Sequence, residues 1–538
     1  MAHKELIFRA AARERILCGA TLLADAVRIT LGPKSKSVLI QKQWGQPIVC
    51  NDGVTIAKEM DLEDAPENLG AQMLRQAAEK TGELVGDGTS TATILAHALF
   101  ADGVRNVTAG ASAIDIKRAM DRALKVAVEQ LKSLSRPVQT RTEKAQVATI
   151  SAHNDAAIGE LVAQAMDKVG DDGVITVEES KTTETVLEVV EGMQFDRGYL
   201  SPYFVSDTQA MQAVLEDAYI LLTDRKINIL KDLIPLLEQA AKSGRPILLV
   251  ADEIESEALA TLIVNQMRGV LKSAAVKAPG YGDRRKALLQ DMATLTGGTL
   301  ISEELGVRLE SVRLEQLGRA RRVLVDADTT TIIGGAGERK AIDARIAQIR
   351  HEIDKATSDY DRDKLKERLA KLSGGVAVIR VGAPAEAEMK SRKEALDDAI
   401  SATKAAVAEG IVPGGGLALL RCIAAVEQLE KQCDGDERTG VQIFRHALQA
   451  PSRQIAENSA VDGGVVVNKM LESSGNMGFD AARKQYVDLL QAGIVDPTKV
   501  VRVALENAVS VAGTLLLTEA TMTEKPEPKK EPAATPEM

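Results

Sequence analysis

Apolar residues recur at helical spacing through both ends of the chain. Within residues 8–30 one stripe consists of Ile16, Leu22, Leu23, Ala26 and Val27. Apolar positions every three to four residues indicate a helix that buries one face. The same spacing predicts helices over residues 65–85, 90–109, 113–134 and 156–169, and helices also dominate between about residues 417 and 520.

The middle of the chain alternates short apolar runs with helical segments. Strands are predicted at residues 173–178, 185–190, 219–222, 247–250, 274–276 and 376–381. Helices at about 233–243 and 256–270 separate some of these strands, and residues 340–372 predict a charged helical hairpin. Such alternation is typical of a layered α/β domain. We therefore predict a multidomain fold in which an α/β region is inserted between two helix-rich ends.

The stretch from Val85 to Ala96 is a glycine-containing acidic loop that runs directly into a helix. Gly86 and Gly88 allow the backbone to approach a ligand closely. Thr89, Ser90 and Thr91 bring hydroxyl groups to a helix N-terminus, which is electropositive and suits phosphate. Asp87 adds an oxygen ligand for a phosphate-bound Mg²⁺. An ordinary capped helix start explains the hydroxyls equally well, and the Walker A and dinucleotide-binding spacings are both missing.

Other acidic and glycine-rich positions have simple structural explanations as well. A hairpin predicted at residues 37–41 and 47–50, around Trp44-Gly45, leads to Asn51-Asp52-Gly53, which reads as a turn. Asp398 lies on a predicted helix at 386–409, where a solvated carboxylate is the default. Asp496-Pro497 is a typical helix start. Gly414 to Gly416 form a second glycine-rich turn before a helix.

The segment Ala258 to Val264 is apolar around nearly its whole circumference. A single domain surface covers only one face of a helix, so the other face contacts something else or is exposed as an adhesive patch. A helix fully buried in a large domain is an equally good interpretation of this pattern.

Composition narrows the class of protein. The chain has 538 residues, a net charge of -10 and only 2% aromatic residues. The negative charge argues against nucleic acid as a partner. Four scattered cysteines indicate a reducing compartment. No apolar run is long enough to cross a membrane, and the N-terminus has no signal-peptide pattern, so we expect a cytoplasmic protein. Residues 523–538 are rich in proline and charge and are predicted to be a disordered tail.

Several motifs in this order resemble the GroEL-type (group I) chaperonin family, collinearly from about residue 5 to 522. They are Thr30-Leu31-Gly32-Pro33-Lys34, Asp52-Gly53, Gly86-Asp87-Gly88-Thr89, the segment from Val190 to Phe204, Asp283-Arg284-Arg285-Lys286, the segment from Ala293 to Gly298, Thr357-Ser358-Asp359-Tyr360-Asp361, Gly414-Gly415-Gly416 and Asp496-Pro497-Thr498-Lys499.

The resemblance implies a chaperone that uses ATP and assembles as two stacked seven-membered rings. An equatorial ATP-binding domain would comprise residues 1–133 and 409–522. An intermediate hinge domain would comprise 134–190 and 377–408. An apical domain at 191–376 would bind unfolded polypeptides and a heptameric co-chaperonin of the chaperonin 10 type.

The resemblance also assigns roles to individual residues. Asp398 would orient or deprotonate the attacking water, with Asp52 beside the terminal phosphate. Asp87 would hold Mg²⁺, and Thr30 would contribute to a K⁺ site. The remaining nucleotide contacts would come from Leu31, Gly32, Pro33, Gly88, Thr89, Ser90, Thr91, Gly415, Asp480, Ala481, Ala482 and Asp496. The surface for substrate and co-chaperonin would comprise Tyr199, Tyr203, Phe204, Ile234, Leu237, Leu259, Ile263 and Val264.

The chain departs from the commonest pattern of that family at several positions. Asn51 replaces a lysine and so removes a positive charge next to Asp52. Asp480 replaces an asparagine near the adenine, and the Gly-Gly-Met repeat tail is missing. These departures leave open a holdase without a productive ATP cycle, or a specialised accessory chaperonin. A phosphotransfer enzyme acting on a small molecule is a further alternative, although it leaves the apolar helix unexplained.

Overall fold

The structure is a computed structural model that describes residues 4–42, 47–170, 173–180, 182–208, 210–227, 230–302, 309–356 and 358–524. The turn predicted at Trp44 and Gly45 lies outside the described residues. So do Thr357 of one family motif and residues 525–538 of the predicted tail.

The helices occupy nearly all the segments that show helical periodicity. In chain order they are α1 Arg9–Arg28, α2 Gly53–Glu59, α3 Ala65–Val85, α4 Thr89–Thr108, α5 Ala113–Leu134, α6 Arg141–Ser151, α7 Ala156–Val169, α8 Ile234–Ser243, α9 Ser256–Met267, α10 Gly282–Thr296, α11 Arg339–Lys355, α12 Asp359–Ser373, α13 Glu386–Glu409, α14 Leu417–Glu430, α15 Gly435–Ala447, α16 Ala450–Asn458, α17 Gly463–Glu472 and α18 Thr498–Leu516.

The strands are shorter and lie mainly in the middle of the chain. They are β1 Lys4–Phe8, β2 Val38–Ile40, β3 Ile48–Cys50, β4 Val174–Glu179, β5 Val186–Val190, β6 Gly192–Phe195, β7 Ala213–Thr223, β8 Lys226–Ile227, β9 Ile247–Ala251, β10 Glu253–Ile254, β11 Ser273–Lys277, β12 Leu300–Ile301, β13 Gly318–Val325, β14 Thr330–Gly335, β15 Val376–Val381, β16 Ile411–Pro413, β17 Met477–Asp480, β18 Gln485–Asp488, β19 Val495–Pro497 and β20 Ala520–Glu524.

The chain forms two compact units. Unit 1 comprises Met1–Ala163 and Glu394–Met538, and unit 2 comprises Gln164–Lys393. Unit 2 is therefore inserted into the sequence of unit 1, and the divisions fall within α7 and α13. The mixture of a helical region with α/β sheets agrees with the fold class expected from the sequence. The finer boundaries of the three expected domains stay a prediction.

Unit 1 is a helical assembly around a large apolar core. Helices α1, α3, α4, α5 and α18 pack against one another. Their shared core is rich in small side chains, among them Ala20, Ala24, Ala71, Ala77 and Ala78. Small residues let helix axes approach closely while the apolar surface is still removed from water. This is how a chain with few aromatic residues builds a large core.

Strands from both ends of the chain pair in unit 1. Strand β1 is antiparallel to β20, with Leu6 opposite Met522. Thr523 and Glu524 belong to β20, so the prediction that the tail begins at residue 523 is wrong by two residues. The predicted hairpin is confirmed, because β2 and β3 are antiparallel neighbours.

Unit 2 is built around a seven-stranded sheet. Its strand order is β11-β9-β7-β13-β14-β6, and β12 also pairs with β7. The predicted strands β7, β9 and β11 are parallel to one another, whereas β13 and β14 add an antiparallel part that the periodicity did not indicate. A second sheet has the order β4-β15-β5. The charged hairpin is confirmed as α11 and α12.

Candidate functional site

Unit 1 contains a cavity of about 830 Å³. Every residue that the sequence assigns to nucleotide binding or catalysis lines it. They are Thr30, Leu31, Gly32, Pro33, Asp52, Asp87, Gly88, Thr89, Ser90, Thr91, Asp398, Gly415, Asp480, Ala481, Ala482 and Asp496. These residues come from segments hundreds of positions apart, so the fold brings together what the sequence lists separately.

The loop between α3 and α4 turns by means of two left-handed glycines. Gly86 ends α3 with φ 69°, and Gly88 begins α4 with φ 78°. Residues with a Cβ rarely adopt this conformation. Gly88 has no side chain to cap the helix, so the first N–H groups of α4 receive no capping bond from it. Uncapped N–H groups at a helix start form a site for an anion such as phosphate.

Asp87 is held at this loop by two hydrogen bonds. Ser151 Oγ donates to Asp87 Oδ2 over 2.7 Å, and the Gly88 N–H donates to Asp87 Oδ1. Burial raises the pKa of Asp87, while these hydrogen bonds and the electrostatic interaction with His153 lower it. The carboxylate is thus held in place in the cavity wall.

Asp398 reaches the same loop because α13 packs directly on Gly86. A Cβ placed on Gly86 would lie only 2.3 Å from the Cβ of Ser401. Ser401 is three residues after Asp398, so both project from one face of the helix. Burial raises the pKa of Asp398 well above its usual value, and the charges of Asp87 and Asp52 raise it further. The carboxylates therefore repel one another across the cavity.

Asp52 has both a structural role and a place in the cavity wall. Its two carboxylate oxygens accept hydrogen bonds from Val54 N at 3.2 Å and Thr55 N at 2.9 Å, which cap α2. The turn predicted at Asn51-Asp52-Gly53 is therefore the start of helix α2, with Asp52 as its N-cap, and the same carboxylate also lines the cavity.

Thr30 forms a small hydroxyl cluster on the opposite side of the loop. Its Oγ1 donates to Val27 O over 2.8 Å and lies 2.9 Å from Ser90 Oγ. Asn458 Nδ2 donates to the carbonyl oxygens of Arg28 and Leu31. This amide fixes the segment that carries Thr30, so the hydroxyl cluster is preorganised.

Another part of the cavity wall is formed by β19, the end of β17 and the turn that follows β17. Asp480 Oδ1 accepts hydrogen bonds from Ala482 N at 3.0 Å and Arg483 N at 3.1 Å. Burial raises the pKa of Asp496 to about 7, with a further contribution from Asp87. The β17–β18 hairpin lies in a region that the sequence predicts to be mainly helical, and it supplies Phe479 to the wall.

The α6–α7 segment is the part of the site that sequence reasoning missed. The end of α6 and the following turn contribute Gln146, Thr149, Ile150, Ser151 and His153 to the wall. Their sequence pattern is that of an ordinary amphipathic helix and turn. A polar run at residues 151–155 is the only local signal, and such runs are common in surface turns.

An apolar patch is exposed on unit 2. Tyr203, Ile234 and Val264 are 65%, 46% and 44% exposed. Leu237, Leu259, Ile263 and Tyr199 are partly buried against the core. Phe204 is only 1% exposed, so its predicted place on the exposed surface is wrong in this structure, because its ring fills the core instead.

Helix α9 explains why the segment after residue 257 is apolar all round. Ala258 and Leu262 are buried in the core of unit 2, whereas Val264 and Met267 project outward. One face of the helix thus stabilises the fold, and the other remains available for contact. We name the exposed and partly exposed set Tyr199, Tyr203, Ile234, Leu237, Leu259, Ile263 and Val264 the apolar patch.

Comparison with known proteins agrees with this geometry. The sequence profile of the TCP-1/cpn60 chaperonin family matches residues 23–526. The chain belongs to this chaperonin family. A protein named Chaperonin GroEL 5, from Bradyrhizobium diazoefficiens, is 72% identical over 538 residues, which cover 100% of this chain and 99% of that protein. The resemblance stated from the motifs is confirmed, and the chain is a nucleotide-dependent molecular chaperone.

The carboxylates of this chaperonin fit a cation that arrives with a nucleotide. In the described ranges no group of three or more His, Cys, Asp or Glu side chains is arranged to hold a metal ion by itself. Mg²⁺ in nucleotide sites takes most of its ligands from phosphate and water, so one or two protein carboxylates suffice. The mutual repulsion of Asp52, Asp87 and Asp398 is what such a cation would relieve.

Two rival interpretations lose support at this point. The holdase is not favoured, since the chain keeps Asp52, Asp87 and Asp398 around one cavity. Membership of the family argues equally against a small-molecule phosphotransfer enzyme. Among the helices of the described ranges, none is long and apolar enough to cross a membrane.

Proposed function

We propose that the cavity of unit 1 binds and hydrolyses ATP, and that this reaction drives binding and release of non-native polypeptides at the apolar patch. The observation that carries the proposal is the convergence of Asp52, Asp87 and Asp398 on the start of α4. An acidic cluster beside an uncapped helix N-terminus suits a phosphate and its metal, and it leaves one carboxylate for a water molecule.

The triphosphate lies along the start of α4. The backbone N–H groups and hydroxyls of Gly88, Thr89, Ser90 and Thr91 bind its oxygens. Asp87 holds Mg²⁺, which supplies charge neutralisation during phosphoryl transfer. Thr30, with the neighbouring Val27 carbonyl and Ser90 hydroxyl, offers the neutral oxygen ligands that K⁺ requires. Gly415 and Asp496 contact the ribose, and Asp480, Ala481 and Ala482 contact the base.

Asp398 orients the attacking water and accepts its proton. Burial and neighbouring carboxylates raise its pKa. Positive charge brought in with the nucleotide would favour its ionised, basic form. Because Asp398 is carried by α13, its position depends on how that helix packs on Gly86. Turnover should thus depend on the placement of one helix.

The test is steady-state ATP hydrolysis with Mg²⁺ and K⁺, comparing the wild type with Asp398→Ala and Asp397→Ala. Asp397 is the exposed neighbour on the same helix and serves as the matched control. We expect Asp398→Ala to lose at least about 100-fold in turnover while it still binds nucleotide. Equal loss in both variants, or no turnover in the wild type, would contradict the proposal.

The apolar patch binds segments of unfolded chains, because apolar burial is non-directional and accepts many sequences. Val264→Ser should weaken suppression of aggregation of a chemically unfolded protein by about threefold to tenfold. Val186→Ser is the matched control, since Val186 is 50% exposed on β5, outside the patch. The same loss in both variants would argue that general surface hydrophobicity, and not this patch, binds the chains.

The assembled form is two stacked seven-membered rings closed by a heptameric co-chaperonin that competes for the apolar patch. Electron microscopy of the purified chain, with and without a chaperonin 10 type protein and nucleotide, tests both statements. If only monomers were seen under all conditions, the proposed double-ring assembly would be wrong.

A further inference from the structure

The turn between α6 and α7 has a constrained backbone. His153 and Asn154 are consecutive residues with positive φ, 52° and 67°. Asn154 N donates to Thr149 O over 2.8 Å, and Asp155 N donates to Ala152 O over 3.0 Å. Asp155 Oδ1 then accepts from Ala157 N at the start of α7. Non-glycine residues in this region cost energy, so the surrounding bonds must hold them there.

The turn presents His153 to the carboxylate end of the cavity. Ser151, two residues earlier, donates to Asp87, and the charge of His153 acts on Asp87 as well. The imidazole itself is exposed and forms part of the cavity wall. It therefore lies on the part of the wall that carries Asp87.

The cavity wall contains few basic side chains that could donate a hydrogen bond to a phosphate. Of the described residues that line the cavity, His153 and Arg483 carry the only basic side chains. Arg483 contacts Asp480, to which it donates its backbone N–H over 3.1 Å. Asn51, at the carboxylate end, is uncharged. A bound triphosphate would therefore meet several carboxylates, and His153 is the basic side chain of the described wall that lies near Asp87.

We infer that His153 donates a hydrogen bond to the terminal phosphate of the bound nucleotide, and that it favours ATP over ADP. The inference rests on the proposed function of the cavity. The triphosphate extends from the base end to the carboxylate end, so its last phosphate is the group that reaches His153. ADP lacks that phosphate and gains nothing from the imidazole.

The experiment compares His153→Gly with Asn154→Gly in the full-length assembled chain. Glycine accepts positive φ at either position, so both variants loosen the same turn, but only one loses the imidazole. Affinities for Mg·ATP and Mg·ADP are measured by isothermal titration calorimetry. We expect His153→Gly to weaken Mg·ATP about tenfold, the value of a hydrogen bond to a charged group, and to change Mg·ADP less than about twofold.

A second variant tests the charge argument. Asn51→Lys places a cation at the same end of the cavity, and in the His153→Gly background it should restore most of the lost Mg·ATP affinity. Equal loss for Mg·ATP and Mg·ADP, the same selective loss in Asn154→Gly, or no rescue by Lys at position 51 would overturn the inference while the proposed function stands. A wild-type chain that binds neither nucleotide would overturn both.

Discussion

Ser151 and Asp87 are joined by a hydrogen bond of 2.7 Å from the serine hydroxyl to the carboxylate. The bond connects the end of α6 to the loop before α4, across 64 positions of sequence. It supports the ionised form of a carboxylate whose pKa is raised by burial. Ser151 therefore positions Asp87, in addition to forming part of the cavity wall itself.

Ser151→Ala should weaken binding of Mg²⁺ with ATP by about tenfold, because a hydrogen bond to a charged group is lost. The pKa of Asp87 should also rise further, so the carboxylate becomes protonated at a higher pH. When the pH is lowered, the variant should therefore lose Mg·ATP binding at a higher pH than the wild type does. Calorimetric titrations with Mg·ATP between pH 5 and 8 measure both effects. Ser133→Ala, in which an exposed hydroxyl donates only to Gln130 O, is the control. An unchanged pH profile would show that the bond does not tune Asp87.

Gly86→Ala should lower turnover sharply, because the added Cβ would clash with Ser401 at 2.3 Å and displace α13, which carries Asp398. The matched control is Gly244→Ala. Gly244 has a similar φ of 71° and nothing within 4 Å of the added Cβ. Backbone strain should cost both variants about 1–3 kcal/mol of stability, but only Gly86→Ala should lose activity, by about tenfold or more. Equal activity in both would show that α13 adjusts freely to the added methyl group.

His97 makes the stability of unit 1 depend on pH. Its Nε2 lies 3.0 Å from Thr21 Oγ1 and its Nδ1 lies 3.4 Å from Arg28 Nη2. Burial, and then the charge of Arg28, lower the pKa of His97 to about 4. The folded pKa lies below the unfolded value of about 6.5, so stability is present above pH 6.5 and is lost as the pH falls towards 4.

His97→Gln should remove this dependence, because glutamine gains no proton over that range. The thermal midpoint, followed by circular dichroism from pH 7 to pH 4.5, should fall less steeply in His97→Gln than in the wild type. Between pH 7 and pH 4.5, protonation of His97 should lower the free energy of unfolding of the wild type by at most about 3 kcal/mol. His351→Gln, on the exposed side of α11, should follow the wild type. Parallel curves for His97→Gln and the wild type would contradict the assignment.

Asp291 should be essential for holding the α11–α12 hairpin on α10. Its side chain is 0% exposed, Arg345 Nε donates to Oδ1 over 2.6 Å, and Arg368 pairs with Oδ2. Asp291→Asn would remove the buried carboxylate that both guanidinium groups share and should cost about 3–5 kcal/mol. Hydrogen exchange of the α11 and α12 amides measures the loss.

Asp361→Asn provides the comparison, because it removes an exposed ion pair with Arg284 at 2.8 Å and should cost no more than about 1 kcal/mol. Equal exchange rates in the two variants would mean that the buried ion pairs of Asp291 contribute no more to stability than the exposed pair of Asp361.

The pattern of neighbouring residues in the sequence was sufficient to predict many of the helices and much of the candidate site. Apolar periodicity predicted α3, α5, α7 and α13 to within a residue or two, because each buries one stripe against the core. Glycine and hydroxyl residues marked the loop at Gly86 to Thr91, because a left-handed turn and an uncapped helix start require those residue types. The order of the motifs along the chain indicated the family, and the family supplied Asp398, which no local pattern distinguishes from a solvated carboxylate.

Other features depended on contacts between distant segments. Strand β20 forms by pairing with β1 at the other end of the chain. Its last residues therefore looked like part of a disordered tail when the local sequence was considered alone. Phe204 follows the exposed Tyr203 in sequence, and only the packing of unit 2 decides which ring is buried. Ser151 and His153 carry no local mark of a ligand site.

The sequence by itself therefore determined most of the helices, the α/β middle, the glycine-containing loop before α4 and the family of this chaperonin. Their physical causes act between residues within a few positions of one another. Tertiary structure alone decided that α6 and its turn complete the cavity, that α13 rests on Gly86, and which aromatic rings remain exposed. These outcomes depend on the distances between segments far apart in the chain, and no local periodicity encodes such distances.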